Sequence, residues 1–168
     1  KGIPKHIHVP RVTLPHYLHT SAQRYPDKTA IIFCENTFTF SQLKGYVDSM
    51  AAYLQQALGV SKGERILLFS QNSPQFVIAY YAALSIGAVI VPVNAMCTTD
   101  EVRYFMQNSG ARYAFVARDL VEQVLPCMQA DTAEGLKHIV VHQYKDILSH
   151  VDSDEIPSFI KADYPPIE

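Results

Sequence analysis

Seven histidines and three cysteines are the obvious metal-binding and nucleophilic material in this chain. His6 with His8, and His16 with His19, stand close enough to share an ion, but no cysteine or carboxylate falls at a spacing that completes a ligand set. The second pair also falls on one face of a helix pattern, where solvated side chains are expected. Cys34, Cys97 and Cys127 are far apart, without the paired spacing of a zinc site or a disulfide framework. Cys97 has no base beside it in sequence to draw off its proton and reads as an ordinary thiol. Ser73, Thr98 and Asp119 each open a helix pattern. A helix start can hold an anion, but capping alone explains these residues.

Loops that announce a reaction are missing. The chain has no G-x-G-x-x-G fingerprint, no G-x-x-x-x-G-K-[ST] phosphate loop and no G-x-S-x-G nucleophile elbow. Carboxylates do not follow the strand "ILLF" as a phosphoacceptor site would require; Ser70 and Gln71 do.

The elements that position these residues follow from apolar periodicity and punctuation. Thr13 can cap a helix carrying Leu14, Tyr17, Leu18 and Ala22, which ends at "YPDK". "TAIIFC" and "TFTF", separated by Glu35 and Asn36, read as the arms of a β-hairpin. From Leu43 the apolar residues recur at i, i+3, i+4 and i+7 as far as Leu58, and Gly59 stops that helix. Residues 66–99 contain no Asp, Glu, Lys or Arg, and residues 76–93 are almost wholly apolar, long enough by count to cross a bilayer. The punctuation argues otherwise. "ILLF" is a strand buried on both faces, Ser73–Pro74 opens a helix that Gly87 closes, and "AVIVPV" is a second strand whose Pro92 breaks any continuous span. Tyr80 and Tyr81, inside that helix, read as core or interface residues rather than a stacking platform.

Thr98 with Glu101 forms a capping box for a helix to about Asn108, "YAFV" is a third strand, Asp119 with Glu122 caps another helix, and "HIVV" is a fourth strand. Strands alternating with helices predict an α/β fold: a doubly wound, mainly parallel sheet flanked by helices, with an N-terminal helix and β-hairpin. Ligands of such sheets bind beyond the carboxyl ends of the strands, in the loops "SQNS", "NAMCTT", "ARD" and "HQYK".

Composition fits one globular domain. Hydrophobic residues make up 48% of the chain and charged residues 18%. The charged share is below the roughly 25% usual for soluble domains. A net charge of −2 offers no footprint for nucleic acid. No apolar run follows the basic start "KGIPKHIHVPRV", so neither a signal peptide nor an anchor is expected, and a reducing cytoplasm suits the cysteines.

The order of segments resembles the N-terminal part of acyl-adenylate-forming (AMP-binding) enzymes of the fatty-acyl-CoA ligase type over residues 14–116. "FTFSQL" is similar to the first core motif of that superfamily, and "LSIGAVIVPVN" with "TTDEV" to its second. The resemblance implies an enzyme that activates a carboxylic, typically fatty, acid with ATP and Mg²⁺ and passes the acyl group from acyl-AMP to coenzyme A. It also implies that residues 1–151 are the N-terminal subdomain and 152–168 a linker-like segment leading to a phosphate loop beyond "ADYPPIE". That loop, the adenine-binding segment, the Mg²⁺-binding glutamate and the lysine of the C-terminal domain all belong downstream in the family. The chain is therefore expected to be a fragment, inactive alone and able to self-associate through surface its missing part would cover. By the same resemblance coenzyme A is expected near the loops after "VIVPV" and "YAFV", at Asn94, Ala95 and Arg118. Some relatives carry a glycine pair where Asn94 and Ala95 stand. The competing reading is a stand-alone, non-catalytic domain that binds a small molecule or another protein.

Overall fold

The computed structural model describes residues 9–128, 135–151 and 153–167. Helix α1 (Leu14–Arg24) opens at Thr13, which takes the extended cap conformation but makes no side-chain cap bond; a proline in the first turn helps set the start instead. Strands β1 (Thr29–Phe33) and β2 (Asn36–Thr39) form the antiparallel hairpin. Its turn lies one residue earlier than the sequence pattern suggests. Cys34 (φ 46°) and Glu35 (φ 61°) are the left-handed pair, and Asn36 is already in β2 opposite Phe33. The cause is distant. Asn36 is buried, and its side chain bonds backbone at residues 149 and 150.

β2 runs directly into α2 (Phe40–Gln56), three residues ahead of the first periodic leucine. A reciprocal capping box sets that start, with the Gln42 N–H donating to Thr39 Oγ1 (3.2 Å) and the Thr39 N–H to Gln42 Oε1 (2.9 Å).

The main sheet contains β3 (Arg65–Phe69), β4 (Val89–Val93), β5 (Tyr113–Ala117) and β6 (His138–His142), all parallel, in the order β4-β3-β5-β6. Helices α3 (Pro74–Ser85) and α4 (Thr99–Ser109) make the first two crossovers. Side chains alternate across the sheet. Ile66 and Tyr113 face α2 and α3, while Leu67, Phe69, Ala114 and Val116 meet Val102 and Met106 of α4 on the other side. Leu67, Leu68 and Phe69 are wholly buried. Each stabilises the fold by about 2 kcal/mol relative to exposure.

The uncharged stretch is thus strand, helix and strand, and no helix among the described residues is long and apolar enough to cross a membrane. Gly87 (φ 74°) turns α3 back into β4. Pro92 is tolerated because β4 is an edge strand, where a missing N–H need not break a ladder bond.

After β5 the structure departs from the predicted capped helix. Arg118–Leu120 is a 3₁₀ turn that leads into the single turn of α5 (Val121–Val124), and Asp119 caps neither. A second 3₁₀ turn, Leu125–Met128, follows. The polar, proline-rich segment that follows residue 152 folds back onto the sheet. Ile156 and Ile160 enter the core, the latter from the short α6 (Ser158–Lys161), and Lys161 Nζ donates to Ser153 O at 2.8 Å.

Candidate functional site

The order of the strands reverses at β3: one connection leaves it for β4, while its other neighbour is β5, so the switch-point crevice of this sheet opens between the ends of β3 and β5. The chain fills it with its own polar groups. Tyr144, just beyond β6, accepts from the Gln71 N–H (3.3 Å) through its hydroxyl and stands near enough to the Asp119 carboxylate to influence its ionisation. Ser70 Oγ donates to Gln71 O (3.0 Å) and lies 3.0 Å from His142 Nε2. The imidazole is stacked on Phe115 at 4.8 Å. Gln75, buried at the start of α3, spans to the β6 loop, its Nε2 donating to Gln143 O and Tyr144 O, both at 2.9 Å.

These bonds decide what the cluster does. The single Ser70 proton can go to Gln71 O or to His142 Nε2, and the imidazole tautomer sets which. Burial pushes the His142 pKa down to about 4, against a weaker opposing influence of the Gln143 backbone, and keeps the ring neutral. Burial likewise pushes the Tyr144 phenol up to about 12 and raises Asp119, on which Tyr144 works the other way. The result is a closed clasp across the ends of β3, β5 and β6 that fixes three loops to one another.

Beside the clasp, a cleft of about 640 Å³ opens at the ends of β3 and β4, with Ser70, Asn72, Phe76, Asn94 and Ala95 among its walls. Asn94 is exposed and shapes the loop: its Oδ1 accepts from the Met96 N–H (3.0 Å) and its carbonyl from the Cys97 N–H (2.9 Å). Arg118 does not share that cleft. Its Nη2 donates to Pro165 O (2.8 Å), its guanidinium lies 5.3 Å from the Tyr164 ring centroid, and Glu122 is 3.8 Å from Nη1. The structure therefore unites Asn94 with Ala95 and places Arg118 under the C-terminal segment.

The other sequence candidates resolve locally. Ser73 Oγ accepts from the Phe76 N–H (3.2 Å), and Thr98 forms its capping box with Glu101. Cys97 is half-buried, and His16 and His19 are exposed on α1. His6 and His8 lie outside the described residues. Among the described residues no three His, Cys, Asp or Glu side chains gather as a metal site. The loops named from the sequence lie at the strand ends, but the Ser70–His142 and Asp119–Tyr144 pairs among them were missed. The available signal was the polar content of "SQNS" and "HQYK" within otherwise apolar surroundings.

Comparison with known proteins agrees with this architecture. The chain is 37% identical over 107 residues to a long-chain-fatty-acid–CoA ligase of Bacillus subtilis, covering 64% of this chain and 19% of that protein. It is 37% identical over 120 residues to a crotonobetaine/carnitine–CoA ligase of Salmonella paratyphi B, covering 68% and 23%. The solved structure of a long-chain-fatty-acid-CoA ligase from Archaeoglobus fulgidus superposes with a TM-score of 0.73 at 25% identity, covering 81% of this chain and 28% of that one. The chain spans about a fifth of the length of the curated relatives it matches. Residues 18–165, from within α1 to the segment that Arg118 holds, match the family described as AMP-binding enzyme, and the chain belongs to it.

Proposed function

We propose that this chain forms the N-terminal α/β unit of an AMP-forming acid–thiol ligase, an acyl-CoA synthetase. The reaction joins a carboxylate to ATP to give acyl-AMP and pyrophosphate, and then transfers the acyl group to the thiol of coenzyme A with release of AMP. The observation that carries this reading is the family match over residues 18–165, supported by relatives named as CoA ligases. A fatty acid is the favoured acid because the first relatives are named for long-chain fatty acids.

Within such an enzyme the described residues serve as frame and wall. Adenylation builds charge on phosphoryl oxygens, which enzymes meet with a backbone cradle, Mg²⁺ and a positioned cation. Neither ATP nor Mg²⁺ finds a fitting donor set here: the sequence has no glycine-rich phosphate loop, and the described residues gather no ligand cluster. We place the coenzyme A surface at the β3/β4 cleft, where Asn94 and Ala95 offer backbone and amide groups. Arg118 belongs to that surface only if the C-terminal segment releases it.

Self-association fits the apolar side chains exposed along α1 and α2, including Leu14, Tyr17, Tyr46 and Tyr53. A cytoplasmic setting fits the three free cysteines. The test is carboxylate-dependent exchange of labelled pyrophosphate into ATP, with the 168-residue chain and with any longer product of the same reading frame, over several acyl lengths. Exchange by the longer product alone is the expected result. Exchange by the short chain well above a no-enzyme control, or none by a product as long as the relatives, overturns the reading.

A further inference from the structure

The hairpin leaves one edge of β1 open. Among the described residues β1 pairs with β2 and with no other strand. The two-residue turn, with positive φ at both Cys34 and Glu35, makes Phe33 and Asn36 the closing hydrogen-bonded pair. Hydrogen-bonded pairs alternate along an antiparallel ladder, so the N–H and C=O of Ile32, opposite Thr37, point away from β2 and toward the open edge. Side chains alternate between faces as well. Ile31 and Phe33 pack against the core, whereas Ile32 is 73% exposed.

An open apolar edge is a template for another strand, and sheets that avoid pairing blunt it with charge, proline or a bulge. The strand "TAIIF" carries neither charge nor proline. Its one irregularity lies between Thr29 and Ile31, which leaves the end containing Ile32 as regular, pairable backbone. Charge sits just outside the strand: Lys28 precedes it and Glu35 follows it, both exposed. Among the described residues neither makes an ion pair. A parallel copy of this strand would set like charge beside like. An antiparallel copy sets Lys28 of each chain toward Glu35 of the other, with Asp27 one residue farther out.

We infer that the open edge of β1 docks a second copy of this chain, antiparallel about a two-fold axis that passes between the two Ile32 residues, to give a four-stranded sheet in the order β2-β1-β1-β2. An axis normal to the sheet keeps the outer faces of both hairpins on one side, so each Ile32 lies directly opposite its counterpart. Each Ile32 N–H donates to the other copy's Ile32 C=O, and the two exposed side chains cover one another. Both copies use the same edge, so the assembly stops at two. The contact is short and its area small, which makes the dimer weak and concentration-dependent. The inference does not rest on the ligase reading, and it concerns a different surface from the apolar side chains along α1 and α2.

The experiment is sedimentation velocity of the 168-residue chain from about 10 µM to about 1 mM, with amide exchange at Ile32 followed by NMR over the same range. A dimer is expected to fill with concentration, and exchange at Ile32 to slow by at least about fivefold as it does. Ile32→Lys, at a position exposed enough to leave the circular dichroism spectrum unchanged, sets like charges opposite one another and is expected to raise the dissociation constant at least about tenfold. Lys28→Glu and Glu35→Lys are each expected to weaken the dimer at least about twofold, and the two together to restore it. A monomer throughout the range, a dimer indifferent to Ile32→Lys, unchanged exchange at Ile32 in the dimer, or a double charge exchange that recovers no affinity overturns the inference.

Discussion

Asn36 and His150, 114 residues apart, are joined by two hydrogen bonds: Asn36 Nδ2 donates to His150 O at 2.9 Å, and the His150 N–H donates to Asn36 Oδ1 at 3.0 Å. The Ser149 N–H adds a third at 2.9 Å, and Asn36 Nδ2 also reaches Cys34 O at 2.7 Å across the turn. One amide therefore locks the left-handed turn and ties the hairpin to the loop beyond β6. Aspartate is nearly the same shape but lacks the donor and brings a buried charge. Asn36→Asp is expected to lower unfolding free energy by about 2–3 kcal/mol in urea titration at neutral pH. A loss under about 0.5 kcal/mol, the range of an ordinary surface change, contradicts the latch.

His142 makes stability depend on pH with a definite sign. In the unfolded chain it titrates near its ordinary 6.5, and in the folded chain at about 4. Between those values the unfolded state binds a proton that the folded state does not. Stability from the neutral ring is therefore full above 6.5 and lost as pH falls through 4. Integrated over that interval the linkage amounts to about 3 kcal/mol. Urea midpoints at pH 7, 6, 5 and 4.5 should fall steadily, and His142→Gln should flatten the curve in that window. Parallel curves for the two proteins would rule out His142 as the source.

Asp119 acts with the opposite sign. Burial raises its folded pKa, so its ionisation at neutral pH opposes folding, and stability is gained as pH falls into the carboxylate range. Asp119→Asn keeps an acceptor for the Tyr144 hydroxyl and removes the charge. Solvent screens this half-buried carboxylate, so the gain in stability at pH 7 should stay within about 1 kcal/mol, with the difference shrinking toward pH 4. Destabilisation at pH 7 would mean that the influence of Tyr144 outweighs the cost of burial.

The alternation of strand and helix was legible because its signals are local. The Thr98–Glu101 box, the Ser73–Pro74 start and the glycines at 59 and 87 each act within a few residues, and the structure reproduces them. What escaped was set from afar. The hairpin turn shifted by one residue because residues 149 and 150 bind Asn36. Asp119 makes no cap bond and sits instead near Tyr144, which comes from beyond the next strand. Ile156 and Ile160 are too sparse in their polar segment to show periodicity, yet tertiary packing buries both. Of the site, sequence located the loops and the Asn94–Ala95 wall of the cleft; the hydrogen bonds among those loops required coordinates.

Arg118 provides the last prediction, which separates two uses of one guanidinium. It now clamps the C-terminal segment through Pro165 O and the Tyr164 ring, while Lys145 holds the same segment through an ion pair with Asp163. A charge-assisted bond to a carbonyl plus a cation–π contact is worth about 1.5–3 kcal/mol. Arg118→Ala should therefore speed amide exchange at Ile160, whose N–H donates to Pro157 O, by at least about tenfold, while amides of β3 stay unchanged. Arg118→Lys keeps the charge without the planar fork that serves both partners, and should recover only part of that protection. If instead exchange at Ile160 is indifferent to Arg118, the clamp contributes nothing in solution, and the guanidinium is free to meet a phosphate at the end of β5.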